Sequence, residues 1–416
     1  MGLESKTKVE KRRRRIRGVV ENCFKVNTDK HIRVGFVLPP GHWLGGKNYL
    51  RNLLAAIRSV PDNVVTPVIF TGKRQASSLP DFPGIEVIGS SMVDQKTPAW
   101  FARKATMKSI SQDLPLRKLL QRHKISVLSH SFNLGRQQNI KTIGWIPDFQ
   151  HVRLPEFFTQ DERARRDREF MSICRQCDTV IVSSESARAD LLSFAPECFH
   201  KAELLRFVAS PVPLADAAAL QDLMKLYDFA GPYLLLPNQF WAHKNHRVVI
   251  RALQRLKLQG EAVQVLATGS PQDYRNRSFF PSLMQYASDC EVLDCFRVLG
   301  QIPFNHLAGL MQHATAFINP SLFEGWSTSV EEAKSMGKQI ILSDIPVHRE
   351  QAPERGFFFT PEDDTACAEA MVAAFDGFEA HQDLAMQEEA LARFPKRQRE
   401  FGKVYEAVVK KTIAQT

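Results

Sequence analysis

NPSLFEGWSTSVEEAKSMGKQIILSD, residues 319–344, is the stretch that decides the fold. It follows the apolar run TAFINP (315–320), which reads as a strand closed by Asn319 and Pro320. Glu324 and Gly325 then fall in a loop, and Ser327, Thr328 and Ser329 offer hydroxyls where a helix begins. Ala333 and Gly337 follow, and QIILSD (339–344) reads as the next strand. Strand, helix and strand in that order make the two strands parallel.

The same unit repeats in both directions. RVGFVL (33–38), VVTPVIF (64–70), IEVIG (85–89), ISVLSH (125–130), IGWIP (143–147) and TVIVSS (179–184) precede it; PYLLLP (232–237), AVQVLATG (262–269), CFRVLG (295–300) and GFFFT (356–360) surround it. These runs are apolar almost throughout, so helices must cover both faces of each sheet, a doubly wound α/β arrangement. Ser210-Pro211-Val212-Pro213 interrupts the alternation, because its prolines remove backbone donors and keep the chain extended.

The expected organisation is a basic tail (1–17), a Rossmann-like domain (18–210), a second one (211–393), and a terminal helix (394–416) packing back across the junction. A chain of 416 residues suits two such domains. If their strand ends face each other, the ligand site lies in the cleft between them.

Hydrophobic residues at 44% and charged residues at 24% describe a folded chain. The net charge of +10 is uneven: residues 1–17 hold eight Lys/Arg against two Glu, leaving +4 for the rest. That tail is read as solvated, with peripheral contact to anionic lipid or nucleic acid as the rival. Seven cysteines without a secretory signal, and no run of 18 apolar residues, point to a cytoplasmic protein, peripheral to the inner face of the membrane if the tail docks there. Cys174 and Cys177 form a lone CxxC, read as two half-buried thiols on one helix face.

The helix start at Ser327–Ser329 presents unpaired N–H groups that favour an anion, phosphate above all. Glu332 lies one turn inside that helix, where an acceptor-only carboxylate suits the vicinal hydroxyls of a ribose. The same residues have a ligand-free reading. Ser329-x-x-Glu332 and Thr328-x-x-Glu331 are both capping boxes.

Glu324, seven residues, then Glu332, in this strand, loop and helix context, resembles the Glu-x7-Glu signature of family 4 retaining glycosyltransferases, the glycosyl transferases group 1 type with the GT-B fold. The resemblance implies that Glu332 binds the donor's ribose and Glu324 the donor sugar. PNQFWAHKNH (237–246) matches the segment where this family holds the donor diphosphate, with Lys244 as its lysine; Asn238, Gln239 and Phe240 stand where the family often has an Arg. Gly45 and Gly46, placed by their sequence in a strand-to-helix loop, match its glycine-rich loop over the diphosphate. WIPDFQH (145–151) resembles the segment whose His faces the donor sugar, giving His151 and, behind it, Asp148; His130 and His42 are weaker candidates.

The function implied is metal-independent transfer of a hexosyl group, with retention, from a nucleotide-diphosphate sugar to a glycan or lipid-linked acceptor. No cofactor beyond the sugar nucleotide is expected, and no nucleic acid partner. Asp-x-Asp is absent from the sequence, so Lys244 and the helix dipole near Thr328 and Ser329 would meet the leaving-group charge. The rivals are a sugar-nucleotide epimerase or phosphorylase on the same frame, and a nucleic-acid or membrane binding protein using the basic tail.

Overall fold

The structure, a computed structural model, describes residues 31–38, 44–76, 82–110, 112–130, 139–212 and 218–415. The basic tail, His42 and the linker residues 213–217 lie outside these.

Two parallel sheets dominate the molecule. The first holds β1 (Ile32–Val37), β2 (Val65–Thr71), β3 (Glu86–Gly89), β4 (Val127–Ser129), β5 (Lys141–Ile146), β6 (Thr179–Val182) and β7 (Ala202–Leu204) in the order β3-β2-β1-β4-β5-β6-β7. The second holds β8 (Leu234–Leu236), β9 (Val265–Thr268), β10 (Phe296–Gly300), β11 (Ala316–Asn319), β12 (Ile340–Ser343) and β13 (Gly356–Phe359) in the order β10-β9-β8-β11-β12-β13. Their central strands are buried on both faces, as continuous apolar runs require. β7 has no counterpart in the sequence reading, because three half-buried residues at a sheet edge carry no apolar run.

Strand order reverses between β1 and β4 in the first sheet and between β8 and β11 in the second. Ligands of open α/β sheets bind at such switch points, beyond the carboxyl ends of the strands. Lys244 follows β8 and Glu324 follows β11, so these two residues flank the second switch point.

The terminal helix expected from Phe394 begins at Ala380 and runs to Ala414. Pro395 favours a helix start in sequence, yet here it sits in the interior of the helix. The early turns stay on the second domain, where Asp383 holds the buried Lys338 at 2.6 Å and Arg355 at 2.8 Å. The later turns cross to the first, where Phe401, Tyr405, Val408 and Val409 pack with Leu53, Leu54 and Ile57 of the helix Leu44–Ser59. Tyr405 also donates to Ser129 Oγ at 2.8 Å. Among the described residues no helix is long and apolar enough to cross a membrane.

Candidate active site

Asn319, at the end of β11, organises the second-domain half of the site. Its Nδ2 donates to Ser327 Oγ (2.8 Å), Ser329 Oγ (3.0 Å) and more distantly Glu324 Oε1 (3.4 Å), while its Oδ1 accepts from Ser321 Oγ (2.6 Å) and Asn238 Nδ2 (3.3 Å). The serine hydroxyls are therefore tied to Asn319 rather than to the helix Thr328–Ser335, whose N-cap Ser327 makes no side-chain cap bond. Neither capping box forms, so the first-turn N–H groups keep their pull on an anion. Thr328 stands half-buried beside Ser329 at this helix start.

Glu331 and Glu332 are neighbours with opposite surroundings. Glu331 is buried and held by Arg397 (2.6 Å), Gln351 (3.1 Å) and Lys334 (3.2 Å). The Glu332 carboxylate makes no hydrogen bond or ion pair among the described residues, although surrounding protein desolvates it and raises its pKa to about 7. A half-buried carboxylate given no counter-charge is poised for a ligand that donates hydrogen bonds.

Lys244 ends a turn of 3-10 helix, Ala242–Lys244, after which Asn245 takes a left-handed backbone and opens the helix His246–Leu258. Its Nζ lies 2.6 Å from Glu324 Oε1, and Ser321 Oγ, whose single hydrogen is shared with Asn319 Oδ1, lies 2.8 Å from the same oxygen. Burial alone would raise the Glu324 pKa, but Lys244 and the bond from Ser321 outweigh it and hold the carboxyl below its ordinary value. The flanking histidines supply no charge: burial lowers His243 well below the usual range and His246 to about 3. His348, 0% exposed, donates from Nδ1 to the Ser343 carbonyl at 2.8 Å, and burial lowers its pKa to about 4.

The first domain closes on this cluster through the turn after β5. A Cβ added to Gly325 would lie 2.8 Å from Asp148 Cβ and 3.1 Å from the Pro147 carbonyl carbon, closer still to the carbonyl oxygen, so only glycine lets the two lobes meet here. Trp326 then plugs into the first-domain core and donates from its indole nitrogen to Phe207 O at 3.0 Å. Asp148 accepts from the Gln150 amide at 2.9 Å, which fixes the turn opposite Glu324.

Four expected residues sit differently from their sequence reading. Gly45 and Gly46 belong to the first turn of the helix Leu44–Ser59 rather than to the preceding loop, so what they offer is first-turn N–H groups. His151 is 1% exposed, 3.1 Å from Asp167 and edge-on to Phe170 and Phe158; no described contact joins it to Lys244 or Glu324. His130 bridges Tyr49 and Ser129 at 2.8 Å each among aromatic rings, a structural role. The thiols of Cys174 and Cys177 are buried with pKa values pushed up to about 12, and Lys201 caps the adjoining carbonyls. Among the described residues no group of three or more His, Cys, Asp or Glu is placed to hold a metal ion.

Asn319, Ser321, His348 and Trp326 were not singled out from sequence as site residues. Asn319 alone gave a signal, a polar side chain closing a buried apolar strand.

Residues 231–376 match the family model described as Glycosyl transferases group 1. The O-antigen chain mannosyltransferase RfbU of Salmonella typhimurium is 28% identical over 139 residues, which are 33% of this chain and 37% of that protein, so the match spans little more than a third of the relative's length. Among solved structures, Anabaena HepE in complex with UDP-glucose aligns at a TM-score of 0.63 and 15% identity over 92% of this chain and 99% of that one. A glycosyltransferase from Rickettsia africae aligns at 0.60 and 15% over 92% and 97%. Two facing parallel-sheet domains and these likenesses make the fold GT-B, and its second half carries a Glycosyl transferases group 1 domain.

Proposed function

We propose that the protein is a glycosyltransferase that moves a sugar from a nucleotide-diphosphate sugar to an acceptor hydroxyl. The observation that carries this reading is the arrangement at the second switch point: a lysine, two carboxylates in different protonation environments and an uncapped helix start, next to the loop where Gly325 meets the first domain. The diphosphate takes Lys244 and the helix amides, the ribose takes the unpaired Glu332, and the sugar takes Glu324. In the free protein Lys244 and Glu324 neutralise each other, so an arriving diphosphate competes for the lysine and frees the carboxylate for the sugar hydroxyls.

The finer reading is hexosyl transfer with retention and without a metal. As the C1–O bond loosens, charge collects on the leaving diphosphate, where a fixed cation and helix N–H groups stabilise it. Among the described residues, no side chain stands out as a covalent nucleophile, and the acceptor hydroxyl enters on the face the diphosphate leaves. The name of RfbU, an O-antigen chain mannosyltransferase, supports a glycan acceptor, and the UDP-glucose bound to HepE supports a uridine or related nucleotide.

The test is a thermal-shift screen of UDP, GDP and their sugars, since a ligand of the folded state raises stability by mass action, followed by turnover of the radiolabelled donor that binds. Stabilisation by no nucleotide diphosphate, or a labelled free sugar nucleotide as product with no acceptor needed, would overturn the assignment.

A further inference from the structure

A second set of contacts spans the two domains, and none of them belongs to the cluster around Glu324. Its centre is Arg275, in the loop between β9 and the helix Phe279–Asp289. The guanidinium lies 4.6 Å from the Trp241 ring of its own domain and 4.9 Å from the Phe158 ring of the other. Its Nη1 donates to Gln150 Oε1 of the first domain at 3.2 Å, and its Nε to Asp273 Oδ1 at 3.2 Å. Both members of the Asp273–Arg275 pair are nearly closed to solvent, at 3% and 6% exposure. Beside it, Tyr274 donates to Glu162 of the first domain at 2.9 Å.

The two residues that Arg275 joins each adjoin a site segment. Trp241 is the N-cap of the turn Ala242–Lys244, so its position sets where Lys244 projects. Gln150 donates from its backbone amide to the Asp148 carboxylate, the bond that fixes Asp148 opposite Gly325. A planar cation between two rings, forked to a first-domain amide, locks both ends at once, which a lysine on a flexible stem does not reproduce. With Asp273, Gln150 and two rings already engaged, its charge is committed to the interface.

We infer that Arg275 is a positioning residue: it latches the Lys244 turn to the first domain, so that closing the cleft and setting the cation in place are one event. The catalytic part of this inference rests on the proposed role of Lys244; the latch itself does not.

Hydrogen exchange on the full-length protein without ligand tests the latch alone. In Arg275→Ala, the amides of Lys244 and Asn245, bonded to Trp241 O and Ala242 O, and those of Val152 and Arg153, both bonded to Phe149 O, are expected to exchange at least tenfold faster, with strand β8 unchanged. Should Arg275→Ala fold poorly, Gln150→Ala and Arg275→Lys leave Asp273 paired and are expected to give the same two-sided pattern at three- to tenfold. Acceleration confined to the second domain, or none, would overturn the inference. With UDP-glucose as probe donor, the latch variants are expected to lose kcat about tenfold and to bind UDP more weakly, because the diphosphate is held by Lys244. Failure of wild type to turn over or bind any sugar nucleotide would sink the functional proposal and leave the exchange result standing.

Discussion

Replacing Gly325 with alanine adds one methyl group at the point where the lobes touch. The new carbon would sit 2.8 Å from Asp148 Cβ, whereas ordinary contact begins near 3.4 Å, and the Pro147 carbonyl oxygen is nearer still. Relief requires an opening of about 1 Å, either between the domains or by displacing the loop that carries Glu324, and misplacement on that scale costs on the order of 100-fold in rate. Overpacking of this kind also costs about 1–3 kcal/mol of stability where the structure cannot yield, less where the domains part. Gly325→Ala should therefore lose about two orders of magnitude in kcat for the donor identified by screening. Its affinity for the nucleotide diphosphate alone should stay close to wild type, because Glu332 and the helix start are untouched. Steady-state kinetics beside calorimetric titration of the nucleotide separates the two. A variant with kcat within threefold of wild type would show that the lobes need not meet at Pro147 and Asp148 for reaction.

The pKa of Glu332, raised to about 7, gives a pH signature. The folded state holds this proton more tightly than the unfolded one, so its contribution to stability is complete below about pH 4.5 and fades as pH rises through 7, by up to about 3 kcal/mol. Glu332→Gln should remove that slope from unfolding curves, and nucleotide affinity of wild type should rise as pH passes 7; identical curves for the two proteins would contradict the assignment. Lys244→Ala and Glu324→Ala should each abolish sugar transfer while leaving circular dichroism unchanged, and wild-type-like turnover in either would remove that residue from the mechanism. Tyr405→Phe leaves Ser129 without its donor and should cost about 1 kcal/mol in denaturant titration, with kcat unaltered.

The strands were legible because burial on both faces writes a continuous apolar run, and the Glu324 to Glu332 spacing was legible because one loop and one helix turn carry it. What the sequence left open depends on distant partners. The serines near Thr328 read equally as caps, and only the reach of Asn319 across the loop decides against that. His151 could face a cleft or a core, and Phe158, Phe170 and Asp167 draw it inward from residues up to nineteen positions away. Trp326 looks like any loop aromatic until the first domain offers Phe207 O to its indole, 119 positions away. Gly45 and Gly46 were misplaced by about a turn, because a helix beginning with glycines has no propensity to mark its start.

The terminal helix also has a meaning for how the molecule is made. A ribosome delivers β1 to β7 first, yet the side chains that complete their core, Phe401, Tyr405, Val408 and Val409, emerge only after the whole second domain. At cellular synthesis rates the roughly 200 intervening residues take on the order of ten seconds or more. Through that interval the helix Leu44–Ser59 shows Leu53 and Ile57 to solvent or to a chaperone, so the amino-terminal lobe is assembled last although it is translated first.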